Sequence, residues 1–288
     1  MTQLRIAVMQ YGLTSIQTAE QFWSGLQSKI DEAVNEKADL LVFPEYTTSH
    51  LLSIVPAMNH EDACSYLDSF TGAYHEFFQA ASAKGNIVIL GGTNICKGEG
   101  GFVNRATLFF PDGRMETQDK VHLTPEERIE WRLNPGNELN IIGTKWGNLA
   151  ILTCYDIEFP ELARIAADKG AELILCPSYT EAAFGYHRVR NTCQARSIEN
   201  QLFVALSGVV GELIEKRSQV DKGYCQAGLF APCDFPFPPD GVIRVGEVNE
   251  DTLLIAIADF TLLRENRDHG AVAPFYDRRP DLYKKENE

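Results

Sequence analysis

One ten-residue segment occurs twice, and it constrains the fold more than any other feature of the chain. Residues 38–47 read ADLLVFPEYT and residues 171–180 read AELILCPSYT, identical at five of ten positions. Each contains a short apolar, β-prone run that reads as a buried strand. Each follows a helical pattern, and each half later carries a Pro-Asp-Gly turn, at 111–113 and 239–241. Such turns between β-prone runs mark hairpins. The expected fold is therefore α/β, with two similar mixed sheets packed face to face about a pseudo-twofold and helices outside.

The rest of the pattern fits this frame. Strands are expected at 4–10, 39–43, 87–91, 103–110, 114–119, 148–153, 172–176, 202–207 and 253–259. Helices are expected at 19–36, 61–83, about 160–169 and 182–200, the third ended by Gly170 in a left-handed cap. No Pro/Ser-rich linker separates the halves, so residues 1–288 read as one domain whose tail, from about 270, packs as an extended arm.

Composition narrows the function. Forty acidic against 26 basic side chains give a formal charge of −14, which argues against nucleic acid and anionic membrane as partners. No run approaches the length of a membrane span, and the first residues lack the form of a secretion signal. The seven cysteines are an odd number without a CxxC pair, as expected of reduced thiols in a cytoplasmic protein. Scattered His and Cys residues predict no metal site.

Three residues stand out for chemistry. Cys154 ends the run NLAILT and precedes a helix opening near Pro160. A thiol on a strand-to-helix turn is exposed to substrate, with backbone N–H groups near a developing oxyanion. Glu45 ends the first copy of the repeated strand, where the second copy has Ser178. Functional groups collect at such carboxyl ends, and a shielded carboxylate can serve as the base a thiol needs. Lys120 lies after the first hairpin, in METQDKVHLTPEE, where an ammonium could stabilise an oxyanion, although its spacing alone reads as that of an ordinary exposed lysine. Tyr179 and Thr180, after the second strand copy, are candidate pocket residues. His122 reads as a local hydrogen-bonding residue, His187 as a helix-surface residue, and Arg196 with Glu199 as a structural i, i+3 pair.

FPEY around Glu45, DKVHLTPEE around Lys120 and LTCYDIEFPE around Cys154 together resemble the signatures of the nitrilase superfamily of carbon–nitrogen hydrolases. GGT at 91–93, NRATLFFPDG at 104–113, CQARSIENQ at 193–201 and RRPDLY at 278–283 extend the resemblance over nearly the whole chain. It implies a four-layer αββα sandwich, a Glu45-Lys120-Cys154 triad, no cofactor, and homodimers or larger assemblies. It also implies a second glutamate near the lysine, chosen from Glu126, Glu127 and Glu130. Glu127, two residues after the proline, is the first choice and Glu130 the second. The implied reaction attacks a small amide through a Cys154 thioester, with the Tyr155 N–H and Lys120 holding the oxyanion. The alternatives are an N-carbamoyl-amine or β-ureido acid hydrolase, a nitrilase, and a catalytically silent scaffold. One departure stands out: members acting on ω-amides often read CYD-x-RFPE, and here Glu158 replaces that arginine.

Overall fold

The computed structural model describes residues 2–213 and 219–283. Its strands are numbered in chain order. The first sheet has the spatial order β13 (Thr252–Asp259), β1 (Gln3–Gly12), β2 (Leu40–Val42), β3 (Val88–Gly98), β4 (Gly101–Phe109) and β5 (Met115–Asp119). The second has the order β6 (Ile142–Gly143), β7 (Asn148–Ile151), β8 (Leu173–Ser178), β9 (Phe203–Glu212), β11 (Gly228–Phe230) and β12 (Val242–Val245). Two-residue β10 (Lys222–Gly223) pairs with the end of β9.

The two sheets have the same sequence of directions. Each opens with an antiparallel neighbour, continues through two parallel pairings and closes with two antiparallel ones. The repeated segments supply β2 and β8, which hold the same place in each order. The Pro-Asp-Gly turns join β4 to β5 and β11 to β12, with Gly113 and Gly241 both at positive φ. The pseudo-twofold read from ten residues thus extends to six strands a side. β1 and β9 also pair along 10–12 and 208–210, which makes the assembly one nearly closed sheet.

Strand alternation sorts the apolar residues into three cores. Leu40 and Val42 of β2 face Leu173 and Leu175 of β8 in the core between the sheets. Leu41 and Phe43 point the other way, onto α1 (Ala19–Asn35), α2 (His60–Asp68) and α3 (Thr71–Gly85). Ile174 and Cys176 point outward from the second sheet, onto α5 (Pro160–Asp168) and α6 (Ala183–Asn200). These four layers follow from period-2 strands meeting amphipathic helices. In α1 the buried residues are Phe22, Leu26, Ile30 and Ala33, a single stripe at helical spacing, and Thr18 caps the first turn.

Some boundaries differ from the sequence expectation. The single helix expected over 61–83 is two helices, α2 and α3. At the break the Asp68 carboxylate accepts the Lys97 backbone N–H at 2.9 Å and the Thr71 hydroxyl at 3.5 Å, an example of a short polar side chain competing with helix continuity. Short α4 (Pro125–Ile129), α7 (Phe260–His269) and α8 (Pro280–Tyr283) were not anticipated. In the tail, the Phe275 side chain packs against the outer core of the second sheet, and Arg278 pairs with Asp168 at 2.7 Å.

Candidate active site

The carboxyl ends of both central strands converge on one point. After β2, Pro44 leads into Glu45, and Tyr46 turns the chain with a left-handed φ of 54°. The GGT segment holds this turn: Thr93 Oγ1 accepts the Tyr46 N–H at 2.8 Å, and the Thr93 N–H reaches the Pro44 carbonyl at 3.3 Å. Gly92, at φ 73°, lies against that carbonyl so closely that a Cβ would collide with it. Lys120 follows β5 and is fixed by its backbone: its N–H donates to the Asn104 carbonyl and its own carbonyl accepts from Gly136.

Cys154 follows β7 and opens a 3₁₀ turn, Cys154–Glu158. Its φ of 49° is rare for a non-glycine residue and marks a sharp turn held by its surroundings. The holding group is Asp156. Its carboxylate, 1% exposed, accepts the backbone N–H groups of Val121, His122 and Thr153 and contacts the His122 ring at 3.0 Å. One buried side chain therefore ties the lysine segment to the cysteine turn. From the other side, Arg196 donates to the carbonyls of Ile157 and Glu158 and pairs with Glu199 at 3.0 Å. That contact gives the CQARSIENQ segment a structural role.

The side chains meet in a buried ion cluster. Lys120 Nζ lies 2.8 Å from Glu45 Oε1, and 2.8 and 2.7 Å from Glu127 Oε1 and Oε2. All three residues are at most 3% exposed. An ammonium has three N–H donors, and here all three end on carboxylate oxygens. Asn104 Nδ2 donates to Glu45 at 2.9 Å and Glu127 at 3.1 Å, and Tyr46 OH donates to Glu127 at 2.5 Å. The Tyr179 N–H donates to the other Glu45 oxygen at 3.0 Å. Ser178 Oγ donates to Cys154 Sγ at 3.1 Å. Ser178, the counterpart of Glu45 in the repeat, thus touches the same sulfur that Glu45 influences.

The electrostatics divide the two carboxylates. Burial, with Glu127 adding to it and Lys120 opposing, pushes Glu45 above the usual carboxylate range. Burial also works against charge on Glu127, but Lys120, Tyr46 and the Thr124 N–H outweigh it and hold Glu127 low. Lys120 stays firmly protonated because its two carboxylate partners outweigh its burial. Burial and Glu45 push the Cys154 thiol well up, against the pull of Lys120. Two nearby carboxyls driven apart in this way mark one for proton transfer and one for fixed charge.

Of the residues anticipated from sequence, Glu45, Lys120, Cys154 and Glu127 are brought together, and Glu130 is exposed just after α4. Tyr155, Tyr179 and Thr180 line a cavity of about 470 Å³ that opens from Cys154. Tyr179 contributes its backbone N–H to Glu45, whereas the Thr180 hydroxyl is engaged by the Tyr224 carbonyl. His122 is the local hydrogen-bonding residue expected, and His187 is exposed and not among the cavity residues. Asn104, Tyr46 and Asp156 were not singled out. Glu127 carries a signal of its own: Thr124-Pro125-Glu126-Glu127 is a capping box, with Thr124 Oγ1 on the Glu127 N–H and Glu127 Oε2 on the Thr124 N–H.

The family model described as carbon-nitrogen hydrolase matches residues 5–259. The chain belongs to the carbon–nitrogen hydrolase family. Within the family, it is 40% identical over 280 residues to the probable hydrolase YhcX of Bacillus subtilis, covering 97% of this chain but 54% of that protein, so it spans about half of that relative's length. It is 30% identical to an (R)-stereoselective amidase of a Pseudomonas species, covering 80% of each. The fold is that of a carbon-nitrogen hydrolase crystal structure from Helicobacter pylori, with a TM-score of 0.80 at 20% identity over 99% of this chain and 98% of that one. An amidase from a Nesterenkonia species has the same fold: a variant carrying the acetamide moiety of fluoroacetamide on its active-site cysteine gives a TM-score of 0.75 at 20% identity, covering 98% and 97%.

Proposed function

We propose that this chain hydrolyses the carbon–nitrogen bond of a small amide through a thioester on Cys154. The observation that carries the reading is the buried Glu45–Lys120–Glu127 cluster beside the Cys154 thiol. A thiol pushed up by burial stays protonated at neutral pH and needs a base during attack. Glu45, raised above the usual range, is that base.

The steps balance. Cys154 Sγ attacks the carbonyl carbon as its proton passes to Glu45, and the carbonyl electron pair becomes an oxyanion. Protonated Glu45 loses much of its hold on Lys120. One of the three committed N–H donors is then released towards the oxyanion, beside the Tyr155 N–H. Glu127 remains charged and keeps the ammonium in place. Collapse breaks the C–N bond while Glu45 returns its proton to the leaving nitrogen. Water, deprotonated by Glu45, then attacks the thioester carbon; the C–S bond breaks, Glu45 returns the proton to Cys154 Sγ, and the carboxylic acid is released. The amidase relatives and the cysteine adduct in the Nesterenkonia amidase support this reading.

The test is a panel of amides, ureido acids and nitriles with wild-type and Cys154→Ala protein, following ammonia release and intact mass. The expected result is ammonia from amides and a covalent acyl adduct that disappears in Cys154→Ala. Ammonia release that survives in Cys154→Ala would overturn the mechanism.

A further inference from the structure

The cavity that leads to Cys154 is unevenly charged. Among the described residues its wall carries five carboxylates, Glu45, Glu126, Glu127, Glu158 and Glu181, against two cations, Lys120 and Arg188. Glu45, Glu127 and Lys120 are consumed by the buried cluster. Glu158 and Arg188 answer each other, with Arg188 Nε 3.3 Å from Glu158 Oε2. Among the described residues this leaves Glu126, whose carboxylate accepts the Trp131 indole N–H at 3.2 Å, and Glu181, opposed by Lys222, both exposed whereas the ion cluster is buried. They therefore line the open end, away from the reacting sulfur.

Two further observations point the same way. Partial burial raises the Glu181 carboxyl first, and the nearby negative charges of Asp221 and Glu126 raise it further, with Lys222 opposing. Among the described residues, carboxylates thus outnumber cations at the mouth. The wall below it is aromatic: Tyr46 and Trp131 stack at 5.9 Å with their planes 11° apart, and Tyr155 and Tyr179 also face the cavity. Aromatic faces attract cations and tolerate the methylene chain of an amphipathic substrate.

We propose that the substrate is a cationic amide, with an ammonium or guanidinium group at the end remote from the scissile carbonyl, held at the cavity mouth by Glu126 and Glu181. The inference rests on the amidase reading above and names the substrate class for that site. Glu158 fits the same logic. It engages Arg188, a cation of the described cavity wall, which would otherwise be available to a substrate carboxylate.

The test compares three amides of matched length: 5-aminopentanamide, hexanamide and adipamate, bearing ammonium, methyl and carboxylate at the same position. Exposed ion pairs each contribute at most a few-fold, so two carboxylates are expected to favour the ammonium amide over hexanamide by about tenfold in kcat/KM at low ionic strength. Adipamate should be the poorest of the three. The preference should shrink with added salt and fall towards unity in the Glu126→Gln/Glu181→Gln variant. Equal turnover of ammonium and methyl amides, a preference for adipamate, or a cation preference that persists in the double variant would each overturn the proposal. If none of the three is hydrolysed, the amidase reading fails separately. Relative binding of 5-aminopentanamide and hexanamide to Cys154→Ala protein, measured by calorimetry, then decides the charge preference: tighter binding of the ammonium amide supports it and equal binding overturns it.

Discussion

Replacing Lys120 with methionine keeps most of the side-chain volume and removes the charge between two buried carboxylates. Glu45 and Glu127 each have an oxygen 2.8 Å from Nζ, so those oxygens lie no more than 5.6 Å apart, twice that contact. At an effective dielectric of about 20, two unit negative charges at that separation repel by about 3 kcal/mol. This agrees with the roughly 3–5 kcal/mol lost when one partner of a buried ion pair is removed. For a chain of this size the loss corresponds to a Tm lowered by roughly 6–12 °C. The penalty should depend on pH in a defined direction. Without the ammonium, both carboxyls are driven above their unfolded value of about 4.3, so the native state binds protons more tightly than the unfolded state. Its stability then falls as pH rises through the folded values. In the wild type, Glu127 is held low by Lys120, and its contribution runs the other way: present above the unfolded value and lost as pH falls. The assay is thermal and urea unfolding of both proteins at about pH 5 and about pH 8. Lys120→Met should be weakest against wild type at the higher pH and recover towards the lower. Equal stability of the two proteins at about pH 8 would refute the picture of two ionised carboxylates sharing one cation.

Three other substitutions follow from the same geometry. Glu127→Gln removes a charge that raises Glu45; the acidic limb of kcat/KM against pH should move to lower pH, and turnover should fall on the order of 100-fold through loss of lysine positioning. Asp156→Asn leaves at least one of its buried N–H donors without an acceptor. It should cost about 1–3 kcal/mol in urea unfolding, and it should lower kcat more than it raises KM. Gly92→Ala sets a methyl group against the Pro44 carbonyl at a positive φ; a loss on the order of 3 kcal/mol in unfolding free energy is expected, and a variant as stable as wild type would show that the turn carrying Glu45 is free to relax.

The layout was legible where a short-range pattern encodes it. Leu40 to Val42 and Leu173 to Leu175 alternate between inner and outer cores as period-2 strands must, and the two Pro-Asp-Gly turns fixed the hairpins. The helix expected over 61–83 was wrong because Asp68 is used by a residue 29 positions away, Lys97, which no local pattern shows. The matching strand ends bring Glu45 and Cys154 to one end of the double sheet, but Lys120, 75 and 34 positions from them in sequence, joins them only by resemblance. Asn104 and Asp156 escaped notice because their importance lies in what they bridge. Asn104 joins two carboxylates, and Asp156 joins the segments of Lys120 and Cys154. Glu127 is reached by the same resemblance, and the Thr124–Glu127 capping box is a local signal that also marks it.

Glu45 and Ser178 sit at corresponding tips of the central strands, and both address the Cys154 sulfur. The symmetric frame therefore provides two seats around one asymmetric thiol, one taken by a carboxyl and the other by a hydroxyl. The chemistry belongs to neither half alone. The Glu45 seat comes from the first sheet, while Ser178 and the sulfur lie on the second, so the reactive centre comes into being only when the sheets close on each other. It cannot tolerate a shift of one sheet against the other by even the length of a hydrogen bond.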